Sequence, residues 1–117
     1  MKNFKELLLW QDAHKLVLDI YEATKKFSKE ETFGIASQVR RAAVSIPCNI
    51  AEGCGKRTSK DFANFLQISL GSANETDYLI LLSKDLGYIG SDQFINLQER
   101  VNKVRAMNIN LLEKVRQ

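Results

Sequence analysis

The chain alternates between runs of helical hydrophobic spacing and short polar breaks. The first run is Ala13, Leu16, Val17, Ile20, Tyr21, Thr24 and Phe27, one face of a helix that ends in the polar "SKEET". The second is Ile35, Val39, Ala42, Ala43, Ile46 and Ile50, with Gly53 and Gly55 as a stop. "TSKD" follows, where Thr58 is placed to cap a third helix and Asp61 to complete a loose capping box. The third face is Phe62, Phe65, Leu66, Ser69, Ala73, Thr76 and Ile80, ended by "LGYIG". Ser91 is the expected cap of the fourth helix, with Phe94, Leu97, Val101, Val104, Asn108, Leu111 and Val115 on one side. No segment alternates with period two for long enough to make a strand. Four amphipathic helices with short connections predict an all-α fold, an antiparallel up-down-up-down four-helix bundle, as one domain over residues 1–117.

The third helix has more apolar surface than one core face needs. Ile68, Leu79, Leu82 and Leu86 fall about 100° or more from the face centre, on a second stripe that also holds Glu75. Either the N-terminal arm "FKELLLW" covers that stripe, or another copy of the chain does; self-association is the expectation. Glu75, an acid among apolar residues, calls for a partner, with Arg40 or Arg41 the candidates. On the second helix Gln38, Arg41, Ser45, Asn49, Glu52 and Lys56 form a polar stripe suited to solvent, to another helix or to a phosphate backbone. Pro47 stands inside that helix, yet the apolar phase stays in register across it, so a continuous, kinked helix is expected.

Composition is that of an ordinary globular chain, 44% apolar and 26% charged over 117 residues. No apolar run approaches the roughly 20 residues of a spanning helix, and no secretion leader is visible; the expected location is cytoplasmic. Net charge is +3, unevenly spread: residues 34–60 carry five cations and one acid, residues 61–90 one cation and four acids. Arg40, Arg41, Lys56, Arg57 and Lys60 are thus the candidate nucleic-acid contacts. Chemistry is harder to find. His14 is alone, the Cys48–Cys54 spacing fits neither a disulfide nor a zinc or redox motif, and there is no phosphate-binding loop. The expectation is a non-enzyme with no metal, cofactor or small-molecule substrate.

The segments "LLLWQDAHKLVLDIY", "QVRRAAVSIPCNIAEGCGKR" and "FANFLQISLGSANE" resemble the four-helix-bundle proteins encoded by intervening sequences of bacterial 23S rRNA genes. The resemblance runs without gaps from about Leu9 to Leu86; the last helix matches only in periodicity. "FSKEE" departs from it, where relatives commonly have a proline after the phenylalanine. It implies a left-handed bundle assembling into a ring, usually of five subunits. It also implies kinship with the accessory protein of diversity-generating retroelements, which partners a reverse transcriptase and binds nucleic acid. No biochemical activity comes with it. The pattern positions are Arg40, Arg41, Ser45, Pro47, Asn49, Glu52, Gly53, Gly71, Ser72 and Glu75, most of them read as structural. Two functions remain open on these residues: binding of structured RNA by the basic positions, or a protein adaptor that docks a partner such as a polymerase.

Overall fold

The computed structural model describes residues 2–117 as four helices: α1 (Leu8–Thr24), α2 (Ile35–Cys54), α3 (Ser59–Asp85) and α4 (Ser91–Arg116). Single 3-10 turns lie at Phe4–Glu6 and Lys29–Glu31. Each helix packs on its two neighbours in the cycle α1–α2–α3–α4, with the α2–α3 contact the most extensive and no diagonal contact. Cross-helix pairings run in opposite directions along the chain: Asp12 meets Lys103 while Asp19 meets Arg100, and Asp77 meets Arg105 while Leu66 meets Asn108. Neighbours are therefore antiparallel, as the short connections require.

The apolar faces that the spacing marks out close on a common axis. Leu16, Ile20, Val39, Ile46, Ile50, Leu66, Ile80, Val101 and Val104 are buried in it, each worth about 1.5–3 kcal/mol as a buried aliphatic side chain. Every residue of the predicted α2 face is buried, and Pro47 lies within an uninterrupted helix and is buried too. Tyr21, placed on the α1 face by its spacing, is instead exposed.

Two local expectations are corrected. Gly90, not Ser91, occupies the N-cap of α4; Ser91 is already the first helical residue and no side chain caps the end. Leu79, assigned to the outer stripe of α3, is 2% exposed and belongs to the core. The reason is the width of the buried arc: α3 is wedged between α2 and α4, so residues at the margin of its core face are covered as well.

The ends are built by recognisable devices. Thr58 Oγ1 accepts the Asp61 N–H at 3.1 Å, as its capping position predicts. At the other end of α3, Gly87 has φ 81°, the left-handed region that glycine enters without strain. There the Tyr88 N–H donates to the Ser83 carbonyl at 2.8 Å and the Gly87 N–H to the Lys84 carbonyl at 2.9 Å, a Schellman closure. Among the described residues, no helix is long and apolar enough to cross a membrane.

Candidate nucleic-acid interface

The α2–α3 seam brings together four residues of the sequence pattern, Ser45, Asn49, Gly53 and Ser72. Ser45 Oγ and Ser72 Oγ are 2.8 Å apart, and Asn49 Nδ2 donates to both the carbonyl and the hydroxyl of Ser45 at 2.8 and 2.9 Å. Ser69 Oγ donates to the Ile46 carbonyl at 3.0 Å. At Gly53 a Cβ would stand 2.9 Å from both Phe62 Cδ1 and Phe65 Cβ, so only glycine lets the two helices meet there. Small and hydroxyl side chains at these positions allow close packing and satisfy the groups that packing buries.

The two arginines of α2 part company. Arg40 Nε donates to Thr24 Oγ1 at 2.7 Å, and its guanidinium lies 4.7 Å from the centre of the Tyr21 ring. Thr24 is buried on α1 and donates in turn to the Ile20 carbonyl at 2.8 Å. Arg40 Nε therefore ties α2 to α1, while the guanidinium also lines an open groove beside the two helices. Arg41 is exposed and makes no ion pair among the described residues. Neither arginine pairs with Glu75, which is exposed and lies within ion-pair distance of no cation among the described residues.

Lys56, Arg57 and Lys60 collect where α2 ends and α3 begins, all three exposed. Lys56 and Arg57 follow the last turn of α2, where a helix dipole favours positive charge. The antiparallel arrangement adds two cations that spacing along the sequence does not connect to them. Lys2 lines a recess of about 240 Å³ with Lys56, Arg57, Thr58 and Ser59, its N–H donating to the Cys54 carbonyl at 3.2 Å. Arg116, at the end of α4, lines a neighbouring recess with Ser59, Lys60 and Asn64. None of these five cations is in an ion pair among the described residues. Burial of the Cys54 thiol beside this cluster raises its pKa, opposed by the smaller effect of the Lys2 charge.

Basic residues of α4 are used differently. Arg100 Nε lies 2.6 Å from Asp19 Oδ2, an ion pair by distance although its N–H is not aimed at that oxygen. Lys103 Nζ lies 3.3 Å from Asp12 Oδ2, and Arg105 Nη1 bridges Asp77 and Asn74 at 2.8 and 2.9 Å. These cations fasten α4 to α1 and α3.

On the outside of α3, Ile68 is 52% and Leu86 53% exposed, Leu82 is half-buried and Glu75 is open to solvent. Tyr78 adds to this stripe at 60% exposure. The turn at Phe4–Glu6 contacts α1 and α2 but not α3, so the N-terminal arm leaves it uncovered. Phe33, in the connection before α2, stands 93% exposed; no periodic face contains it, and the sequence singled out neither it nor Tyr78's exposure. No group of three or more His, Cys, Asp or Glu able to hold a metal occurs among the described residues.

The model of the 23S rRNA-intervening sequence protein family matches residues 5–110. The chain belongs to that family. A search of curated proteins finds no match. Among solved structures, the chain is similar to a protein of unknown function from the S23 ribosomal protein family of Bacteroides thetaiotaomicron. That likeness has a TM-score of 0.84 and 25% identity, covering 90% of this chain and 98% of that one. The family match takes in most of α4, which the sequence connected to the family only through its periodicity.

Proposed function

We propose that this member of the family is a non-enzymatic, self-associating bundle of the cytosol that binds structured RNA through the basic end formed by Lys56, Arg57 and Lys60, joined by Lys2 and Arg116. The observation that carries this reading is the contrast in pairing. Three α4 cations are held by carboxylates of α1 and α3, while five cations at the α2–α3 end converge without one. Unrelieved positive charge in one place is stabilised by a polyanion. Arg40 and Arg41 stand apart from that end: Arg40 Nε is held by Thr24 with the guanidinium over Tyr21, and Arg41 lies about 22 Å from Lys56 along α2.

Recognition of this kind reads the phosphate backbone, so it is weakly selective for sequence and steeply dependent on salt. Self-association multiplies the patch; the ring of five that the family resemblance implies would present five such ends together. The test is binding of a hairpin-rich ribosomal RNA fragment, followed by fluorescence anisotropy across a salt series. Tight binding at low salt that falls off steeply supports the proposal; equal affinity for the RNA and for a neutral polymer would sink it. A protein adaptor is the second reading, favoured by the exposed apolar stripe of α3. An associated protein indifferent to RNA would point there.

A further inference from the structure

Two surfaces of the bundle stay open after the basic end is accounted for, and they complement each other. One is a ridge, the outer face of α3, where Ile68, Gly71, Glu75, Tyr78 and Leu82 recur at spacings of three and four. The other is an open groove of about 510 Å³ beside α1 and α2, lined by Tyr21, Phe33, Arg40, Arg41, Val44 and Ser45. Both are rich in exposed apolar area: Phe33 is 93%, Tyr78 60%, Ile68 52% and Tyr21 41% exposed. Each also carries one exposed charge with no ion-pair partner among the described residues, Glu75 on the ridge and Arg41 in the groove. Their signs are opposite.

Gly71 sharpens the match. It sits deep within the 27-residue α3, where glycine weakens a helix relative to alanine. Inside the monomer nothing requires it, since a Cβ there would meet no atom within 4 Å. Gly53, by contrast, is demanded by Phe62 and Phe65. A glycine on an outward, apolar helix face lowers the ridge enough for another backbone to come close.

We propose that a second copy of this chain seats its α3 ridge in the α1–α2 groove, with Glu75 on Arg41 and Gly71 at the closest approach of the two backbones. This rests on the self-association proposed above and names the surfaces that carry it. Joining two different patches makes the contact heterologous, so each copy offers one ridge and one groove, and the contact repeats from copy to copy. Burying Glu75 and Arg41 against each other also removes the cost of leaving either charge unpaired under apolar cover.

The experiment compares the wild type with Arg41→Glu, Glu75→Arg and Gly71→Ala by sedimentation velocity over a concentration series, with thermal melts of each. Arg41 and Glu75 make no ion pair or side-chain hydrogen bond among the described residues, so both reversals should fold while weakening association at least tenfold. An equal mixture of the two reversals should associate again, because the reversed groove of one then meets the reversed ridge of the other. Gly71→Ala should raise the melting temperature of the dissociated chain, yet weaken association. Reversals that associate like the wild type, or a mixture that stays dissociated, would overturn this docking mode while leaving self-association standing. A wild type that is monomeric at every concentration would overturn self-association itself, and this mode with it.

Discussion

At the end where α2 hands over to α3, the chain gathers Lys2, Lys5, Lys56, Arg57, Lys60, Lys114 and Arg116 against Glu6, Glu52, Asp61 and Glu113. At the opposite end Lys25, Lys26, Lys29 and Lys84 face Glu22, Glu30, Glu31, Asp85 and Asp92. Seven cations against four acids oppose four against five, so the bundle is polarised along its length. The use of the charges differs more than their number. At the acidic end Lys25 pairs with Glu22 at 3.1 Å, and the Tyr88 hydroxyl donates to Glu31 Oε1 at 2.6 Å. Tyr88 also packs against Phe27, ring centres 5.4 Å apart, and Lys84 lies 4.9 Å from the Phe94 ring centre. No ion pair forms at the basic end among the described residues. Cations there meet rings instead, Lys56 Nζ lying 5.1 Å from the Phe65 ring centre and Lys5 Nζ 5.9 Å from that of Phe4; the acidic end closes partly through its carboxylates, and the basic end does not.

Reversing Lys56, Arg57 and Lys60 to glutamate should have the largest effect on that contrast. RNA affinity at low salt should fall by well over tenfold, and the slope of log affinity against log salt should flatten by about three, one for each lost phosphate contact. Reversal of Lys25, Lys26 and Lys29 is the control, expected to leave binding within about twofold. Anisotropy titrations at several salt concentrations read both.

Next in size are two glycine replacements that strain the ends by different means. Gly53→Ala pushes a Cβ into Phe62 and Phe65 and should cost about 1–3 kcal/mol by overpacking the α2–α3 seam. Gly87→Ala meets open space but keeps a φ of 81°, a backbone cost of about 1–2 kcal/mol for a residue with a side chain. Urea melts should rank them in that order. Tyr88→Phe, which removes the bond to Glu31, should lower stability by less than either glycine replacement in the same measurement. The smallest change concerns chemistry rather than stability. Cys48 is exposed, while Cys54 is buried with its thiol pKa raised. A thiol reagent near neutral pH should modify Cys48 promptly and Cys54 only as fast as the basic end opens.

Much of this was legible from spacing. All six residues read as the α2 face are buried, but so are Ala36, Pro47 and Cys54 at its margin, which spacing did not assign to it; the Thr58 cap was legible because its geometry is local. Leu79 was misplaced because helical phase gives a direction but not the width of the arc that two neighbours cover. Ser91 carried a capping signal, but Gly90 took the capping position. At the candidate site, Lys56, Arg57 and Lys60 were visible as a sequence cluster. Lys2 and Arg116 were not, because they arrive from the two ends of the chain. An antiparallel bundle places those ends together, and that rule is the signal that would have found them. Arg40 was the reverse case: its charge was evident, but Thr24, sixteen residues away, had to be brought alongside before its use was clear.

Asn108 on α4 is 1% exposed, and its Nδ2 donates to the Leu66 carbonyl at 3.2 Å. A core of leucine, isoleucine and valine tolerates sliding, since one aliphatic contact substitutes readily for another a turn away. An amide does not. Moved by one helical turn, about 5.4 Å, Asn108 would lose its bond to the Leu66 carbonyl. The side chain therefore acts as a detent: it gives up some depth in the native energy minimum to raise the neighbouring, slipped minima further. Asn108→Leu should thus yield a bundle that melts at a higher temperature but populates more than one helix register, visible as extra resonances for the residues facing it.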